Sequence, residues 1–249
     1  MNGILKSYSK EKEYGFIKGE DNNDYFFHIT SFKNTQDSDK LCTGITLSFD
    51  QKVTPKGYSA INIIIDNKIQ IGYITPDTVY TSKNGEVKGW EIVETSKWVI
   101  YGSSRYSPDD AKDLMLHRAN NIGANCILYM EYFKTTGSEP GTGKGTYYYT
   151  IHNFRGRAVN IAKKSPNGKF QLNDFSGLND RAKELKKQLI IKTTNSTHTK
   201  MTIWAVVLLI VFISWLINNQ SGIIVSVFSF ILGWRFIYST DYDSWLEEV

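Results

Sequence analysis

The sequence predicts a multidomain protein: an all-β barrel of five strands, then a small α+β domain, then a C-terminal transmembrane α-hairpin. Three observations predict it. Residues 1–66 contain five short β-rich segments between polar turns, residues 67–165 contain one clear helical segment among strands, and residues 201–238 are almost free of charge. We expect residues 166–200 to be a basic linker with a short helix, and residues 239–249 to be an acidic tail.

The composition excludes several classes of protein. With 19 Gly, 5 Pro and 2 Cys in 249 residues, the chain is not collagen-like, disordered or a disulfide framework. Cys42 and Cys126 lie far apart with no CxxC motif near either, so we expect reduced thiols. The N-terminus turns polar at once, so no cleavable signal is expected. The net charge is +4, and no segment is a strongly basic nucleic-acid tail.

Aromatic residues alternate along two of the predicted barrel strands. Tyr14 and Phe16 share one strand face, and Phe26 and His28 share a face of the next strand, because side chains alternate sides. If these strands pair, the four side chains form an aromatic platform. A barrel this small cannot bury both strand faces, and exposed rings stack bases at about 1–3 kcal/mol each. The five predicted strands are 3–9, 14–19, 24–29, 45–53 and 58–65.

Two motifs resemble the ribonucleoprotein motifs of the cold-shock domain family. They are Lys12-Glu13-Tyr14-Gly15-Phe16-Ile17 and Tyr25-Phe26-Phe27-His28-Ile29, and the resemblance covers about residues 2–65. It implies an OB-like five-stranded barrel that binds single-stranded RNA or DNA with little sequence preference. The binding positions of the family carry over onto Lys6, Tyr8, Lys12, Tyr14, Phe16, Phe26, His28 and Lys56. The three lysines among them would contact phosphates.

Three positions depart from the pattern of that family. Ser7 stands where the family usually has Trp, Glu13 where it often has Gly, and Ile29 where it often has an aromatic residue. One stacking ring is lost and one carboxylate is added, so a modest affinity is expected. The alternative is a degenerate barrel that is kept for protein contacts.

The middle segment predicts a helix that covers one face of a sheet. Ser107 suits the N-cap, Pro108 the first turn and Gly123 the C-terminal stop. Strands are expected at 126–135 and 146–152, followed by 157–162. The apolar stripe of the helix, expected to be core, comprises Ala111, Leu114, Met115, Ala119 and Ile122.

Residues 70–163 also resemble, on short motifs, a small bacterial family of dodecin-like fold that is named for heavy-metal binding. The motifs are Gly89-Trp90-Glu91-Ile92-Val93-Glu94, Gly123-Ala124-Asn125-Cys126-Ile127 and Gly156-Arg157-Ala158-Val159. The resemblance implies homo-oligomerisation. No metal and no other cofactor is expected, because Cys126 lies in a core-like strand and neither His117 nor His152 has a partner at ligand spacing.

The segment 138–146, Ser-Glu-Pro-Gly-Thr-Gly-Lys-Gly-Thr, resembles the phosphate-binding loop of nucleoside monophosphate kinases. Such a loop needs a helix directly after it, because the helix N-terminus holds the phosphates. A β-rich aromatic segment follows here instead. We therefore expect a hairpin loop.

The C-terminal region predicts two membrane helices. The apolar runs 201–217 and 223–238 flank a polar turn at 218–222, and Arg235 is the single charged residue between 201 and 238. As a helix, each run would be roughly 24–26 Å long, which is slightly less than the thickness of a hydrocarbon core, about 30 Å. Lysines precede the first run, so both chain ends are expected in the cytoplasm and the protein at the inner membrane. A buried soluble hairpin is the alternative.

The linker helix carries an apolar side that comprises Leu178, Ala182, Leu185 and Leu189, with lysines around it. It is either a plain juxtamembrane connector or a contact with anionic lipid. The whole sequence favours a membrane-anchored protein that binds single-stranded nucleic acid. The alternative is a membrane-tethered oligomeric scaffold whose barrel binds protein. No enzyme is expected, because the sequence has no GxSxG, no HExxH and no paired His–Cys spacing.

Overall fold

The structure, a computed structural model, describes residues 1–55, 57–65, 71–141, 143, 145–217 and 241–249. The chain divides into two compact units. The first unit comprises Met1–Tyr80, Glu86–Thr95 and Val159–Ser176. The second unit comprises Thr81–Gly85, Ser96–Ala158 and Gly177–Val249.

The N-terminal part of the first unit is a closed five-stranded barrel. Its strands are β1 (Asn2–Ser9), β2 (Tyr14–Gly19), β3 (Asp24–His28), β4 (Thr46–Thr54) and β5 (Gly57–Ile65). They follow the order β1-β2-β3-β5-β4, and antiparallel pairing of β1 with β4 closes the barrel. The predicted five-stranded barrel is confirmed, and each strand lies within about two residues of its expected bounds.

The barrel core follows from the alternation of the strands. Ile17, Tyr25 and Phe27 point inwards and are at most 1% exposed. Leu5 and Leu47 from β1 and β4 complete the same cluster. The barrel therefore buries one face of each strand and leaves the other face to solvent.

Gly15 allows β1, β2 and β3 to approach closely. A Cβ atom at this position would lie 2.3 Å from the carbonyl oxygen of Ser7 and 2.7 Å from the Phe27 ring. Any larger residue would push the buried ring or the neighbouring strand away. The glycine between Tyr14 and Phe16 is thus a packing requirement of the barrel.

A second sheet contains six strands. They are β6 (Gly72–Ile74), β7 (Tyr80–Thr81), β8 (Glu91–Ser104), β9 (Cys126–Pro140), β10 (Thr146–Ser165) and β11 (Leu246–Glu248). The order is β11-β8-β10-β9-β7, and β6 pairs with β10. The prediction of two separate strands at 146–152 and 157–162 was wrong, because β10 is one strand that continues through Gly156. A Cβ atom at Gly156 would lie 2.3 Å from the Ile127 side chain, so the glycine allows close packing within the sheet.

β9 ends at Pro140 and β10 begins at Thr146, so a strand follows the segment 138–146, of which residues 142 and 144 lie outside the described residues. The backbone nitrogen of Gly141 donates to the carbonyl of Gly145 at 3.0 Å, and Thr146 begins β10 directly. A strand stands where a phosphate-binding loop requires a helix.

The predicted helix of the middle segment is α1 (Pro108–Asn121). The Ser107 hydroxyl accepts a hydrogen bond from the Asp110 nitrogen at 3.0 Å and caps its N-terminus. Gly123 follows the helix with a φ of +76°. Of the predicted apolar stripe, Leu114 is 36% exposed and is not core, whereas the four others are buried.

The long helix α2 (Leu178–Ile217) joins the linker to the first apolar run. We expected a short helix before residue 200, but 178–217 contains neither Gly nor Pro, so nothing in the sequence ends the helix between the two parts. It is long and apolar enough to cross a membrane, and its apolar window is 0% buried. The predicted turn at 218–222 and the second run at 223–238 lie outside the described residues.

The described part of the C-terminal tail, residues 241–249, packs within the second unit. Strand β11 pairs antiparallel with residues 98–100 of β8, and Leu246 is fully buried. Asp243 forms an ion pair with Lys186 of α2 at 2.9 Å and accepts a hydrogen bond from Thr193 at 2.9 Å. The sequence predicted the acidity of this tail but not its docking.

Candidate nucleic-acid interface

Antiparallel pairing of β2 with β3 brings three aromatic rings together on the outer face of the barrel. Phe16 lies opposite Phe26, and Tyr14 lies opposite His28. The ring centroids are 5.8 Å apart for Phe16 and Phe26, 5.7 Å for Tyr14 and Phe26, and 6.3 Å for Tyr14 and Phe16. We call Tyr14, Phe16 and Phe26 the ring cluster.

The ring cluster is open to solvent. Phe16 is 37% exposed and Phe26 is 40% exposed, whereas their sequence neighbours Ile17 and Phe27 are at most 1% exposed. These rings contact one another but remain partly exposed, so they offer apolar surface to a ligand. Such faces suit unstacked bases, since every base has a flat π-face.

His28 lies at the edge of the ring cluster. Its Nδ1 accepts a hydrogen bond from the Thr30 nitrogen at 3.4 Å and lies 3.1 Å from the Thr30 hydroxyl oxygen. These contacts fix the imidazole beside Tyr14, its cross-strand partner. The residue therefore sits where the aromatic alternation predicts.

Basic side chains flank the other end of the ring cluster. Lys6 donates to Asp24 at 2.6 Å, and Lys18 lies 3.9 Å from the same carboxylate. The ammonium of Lys6 lowers the pKa of Asp24. Our sequence reasoning missed Lys18, although it follows Tyr14 and Phe16 at the two-residue spacing that places it on their strand face.

Replacing Asp24 with asparagine should release both lysines for phosphate contacts. We expect oligonucleotide affinity at low salt to rise about two- to fivefold, because an exposed ion pair is worth about 0.2–1 kcal/mol. The dependence of affinity on salt should also become steeper. Fluorescence anisotropy over a salt series measures both quantities. Asp37→Asn, which removes the ion pair with Lys40, is the matched control and should leave binding unchanged.

The remaining predicted residues lie apart from the ring cluster. Tyr8 points to the opposite strand face, where its half-buried ring stacks on Phe27 at a centroid distance of 6.0 Å and an angle of 11°. Lys12 is exposed in the turn between β1 and β2. Lys56 lies outside the described residues. The structure therefore joins four of the eight predicted residues, places Lys6 beside them, and separates Tyr8 and Lys12.

Glu13 adopts a backbone conformation that favours glycine. Its φ is +56°, and its carbonyl accepts a hydrogen bond from the Ile29 nitrogen at 2.8 Å, which holds the turn next to Tyr14. Burial and the Glu13 carboxylate together raise the pKa of Tyr8, so this negative charge lies near the barrel rim. The departure from the family pattern thus adds backbone strain as well as charge.

Glu13→Gly should stabilise the barrel and strengthen binding. We expect the free energy of unfolding to rise by roughly 0.5–1 kcal/mol, because left-handed backbone costs a non-glycine residue about 1–2 kcal/mol and glycine loses more entropy on folding. Urea unfolding measures this change. Glu13→Gln, which removes the charge and keeps the strain, separates the two effects: it should improve binding without stabilising the fold.

The described residues contain no group of three or more His, Cys, Asp or Glu side chains that could hold a metal ion. His152 instead contacts the Tyr132 hydroxyl at 2.7 Å, and His117 contacts Asn121. Both cysteines are buried, and burial raises the pKa of Cys126 to about 11, so this thiol is a poor nucleophile at neutral pH. The expectation of no cofactor stays a prediction.

Comparison with known proteins bears on this barrel. Residues 1–66 match the family model described as the "Cold-shock" DNA-binding domain. Cold shock protein 1 of Lactiplantibacillus plantarum is 36% identical over 63 residues, which is 94% of that protein and 25% of this chain. The chain belongs to the cold-shock domain family. Membership supports nucleic-acid binding in general.

Two further comparisons cover about a quarter to a third of this cold-shock chain. The Retron Se72 cold shock-like protein of Salmonella heidelberg is 36% identical over 62 residues, 92% of its length and 25% of this chain. A solved structure of a protein of unknown function from the DUF74 family of Pediococcus pentosaceus covers 32% of this chain and 95% of its own, at 17% identity. Its TM-score of 0.22 is too low to bear on fold or function.

Proposed function

We propose that the chain is a membrane-anchored protein that binds single-stranded RNA or DNA and carries out no catalysis. The ring cluster, three rings within 6.3 Å of one another on the open face of a cold-shock domain, is the observation that carries this proposal. Bases of a flexible strand stack on these rings, and the lysines at the edge contact the phosphates. Stacking does not depend on base identity, so little sequence preference follows.

The apolar part of α2 supports the membrane anchor. Large apolar side chains on it are open to solvent: Met201 is 65% exposed, Leu208 is 62% exposed and Leu216 is 72% exposed. A soluble protein rarely leaves an apolar helix so bare, because water contact with it is costly. A lipid bilayer is the environment in which this surface is stable.

The docked tail supports a hairpin with both ends on one side of the membrane. Asp243 contacts Lys186 and Thr193, which precede the apolar part of α2. Helix geometry places Thr193 about 36 Å from Ile217 along the axis, which exceeds the hydrocarbon core of about 30 Å. A chain that crosses with α2 and returns its tail to Thr193 must cross the membrane an even number of times. The lysines before the span favour the cytoplasm for that side, since positive charge is enriched there.

Cysteine labelling tests this topology. Asn219→Cys should react with a membrane-impermeant maleimide in right-side-out vesicles, and Val249→Cys should react in inverted vesicles. Val249 is 71% exposed, and the native cysteines Cys42 and Cys126 are buried, so the unmodified chain gives the background. Labelling of both positions from the same side would contradict the hairpin.

Two further features belong to the proposal. The lysines around the first turns of α2, such as Lys183 and Lys187, would contact anionic lipid headgroups.

The middle domain would form homo-oligomers, and exposed aromatic residues support this: Tyr147 is 57% exposed and Tyr148 is 67% exposed. Several barrels on one oligomer would gain avidity for one strand and compensate a modest affinity per barrel.

Ultraviolet crosslinking in cells tests the proposed function. Nucleic acid should crosslink to the full-length protein in the membrane fraction, and sequencing of the recovered RNA identifies what is bound. Phe16→Ala with Phe26→Ala should abolish the recovery at an equal protein level. If the unmodified protein recovers no nucleic acid, the barrel serves protein contacts, as a membrane-tethered scaffold would.

A further inference from the structure

A cavity of about 540 Å³ adjoins the barrel within the first unit. Tyr8 and Ser9 line it from the end of β1, Trp90 lines it from the segment before β8, and Lys163 and Lys164 line it from the end of β10. Its volume is typical of sites for small organic groups. Nothing in the relatives' names or in the cold-shock motifs assigns a role to the residues from the middle of the chain.

The cavity lies next to the ring cluster at the end of β1. Ser9, which lines the cavity, is the cross-strand partner of Tyr14. Tyr14 belongs to the ring cluster, where its ring centroid lies 5.7 Å from that of Phe26. A single cross-strand pair, Ser9 with Tyr14, therefore connects the cavity wall to the ring cluster. A strand of nucleic acid that extended past Tyr14 would therefore reach the cavity wall at Ser9.

The aromatic residues of the cavity suit a stacked base. Tyr8 is half-buried, and its parallel contact with Phe27 fixes the ring. Trp90 is half-buried, lies 6.2 Å from the Tyr80 ring and also lines a second groove with Tyr80 and Phe170. These last two rings are 45% and 40% exposed. Trp90 therefore lines both the cavity, together with Tyr8, and the second groove, together with Tyr80 and Phe170.

The charges of the cavity favour a strand with bases over a free phosphate. The ammonium of Lys164 donates to the Asp39 carbonyl oxygen at 2.9 Å, which holds it on the cavity wall. The three lysines that line the cavity, at positions 10, 163 and 164, are balanced by three carboxylates, at positions 11, 39 and 91. A site without net positive charge attracts a free polyphosphate poorly, whereas stacking on Trp90 and Tyr8 does not depend on net charge.

We propose that Trp90 stacks a base of the same single strand that the ring cluster binds, so that the chain holds a longer stretch of nucleic acid than its cold-shock domain alone. This inference rests on the proposed function. It adds a binding residue outside the cold-shock domain and makes the middle of the chain part of the interface.

The length dependence of binding tests the inference with the full-length protein in detergent. The probes are fluorescent oligothymidylates of about six and about twelve nucleotides. The shorter one is close to the smallest site size of a single OB-like fold, about four nucleotides, and the longer one has bases to spare beyond that size. Trp90→Ala should weaken binding of the longer strand about five- to hundredfold, as expected for the loss of one stacked base, and leave the shorter strand unchanged. Trp90→Phe should retain most of the affinity for the longer strand. A longer strand offers more positions at which a protein can bind. This number is the same for the unmodified protein and its variants, so it does not affect the ratio of their affinities.

Two controls separate the failure of this inference from the failure of the proposed function. Tyr106→Ala removes a ring that is 78% exposed outside the first unit and should change neither affinity. Phe16→Ala with Phe26→Ala should weaken both strands, and if the short strand does not bind at all, the proposed function fails. If the short strand binds through the ring cluster but Trp90→Ala leaves the longer strand unchanged, the extended path alone is overturned. Unchanged affinity of Trp90→Ala for the short strand also shows that the barrel is folded.

Discussion

Replacing Phe16 and Phe26 with alanine should lower the affinity for a short pyrimidine-rich single strand by at least about tenfold, since a stacked base contributes about 1–3 kcal/mol. The two rings lie 5.8 Å apart and both are exposed, so one strand contacts them together. Their effects should not add, because residues in contact share their interactions with the ligand. Filter binding or anisotropy with the full chain measures the loss.

The design separates binding from folding. Both rings are on the outer face, so the thermal unfolding temperature of the double variant should change little. Tyr106→Ala removes another exposed ring, 78% exposed just before α1, and is the matched control with unchanged affinity. Unchanged affinity of the double variant would disprove stacking on the ring cluster.

Phe27→Ala should unfold or nearly unfold the cold-shock barrel. Phe27 is 1% exposed, and its ring contacts Tyr8 at 6.0 Å and Phe32 at 5.6 Å. Truncation of a buried Phe to Ala costs about 3–5 kcal/mol through lost burial and a new cavity. A barrel of about 65 residues lies near the lower end of the usual range of about 5–15 kcal/mol, so most of its stability would be lost. Chemical denaturation monitored by circular dichroism gives the change in free energy of unfolding.

Phe26→Ala is the matched control for this prediction, because it changes the next residue on the opposite strand face. It should cost less than about 1 kcal/mol of stability, as exposed substitutions usually do, while it weakens binding. Phe27→Ala should instead lose much more stability than Phe26→Ala. At temperatures where it is still folded, it should weaken binding less than Phe26→Ala does. Equal destabilisation by the two variants would contradict the assignment of inner and outer faces.

The barrel and its ring cluster could be predicted from sequence because both follow local rules. Period-two alternation puts Phe16 and Phe26 on one face and Phe27 on the other, and polar turns mark the strand ends. The N-cap and C-terminal glycine of α1 are equally local signals. The same rule would also have found Lys18, which shares the face of Tyr14 and Phe16.

Features that depend on contacts distant in sequence could not be predicted. Trp90 joins the cavity beside Tyr8 through the fold of the first unit, and no spacing in the sequence links them. The pairing of β11 with β8 brings residue 246 to residue 100, across the whole apolar segment. The continuity of β10 through Gly156 depends on the close approach of Ile127, whereas glycine alone indicates a break.

Flotation of liposomes tests the central claim most directly, because it requires membrane anchoring and strand binding in one particle. The full-length protein is reconstituted into neutral liposomes, mixed with a fluorescent single-stranded oligonucleotide and centrifuged through a density gradient. We predict that the oligonucleotide floats with the liposomes, and that Phe16→Ala with Phe26→Ala leaves it at the bottom while the protein still floats. An oligonucleotide that stays at the bottom with the unmodified protein in the floating fraction would contradict the claim.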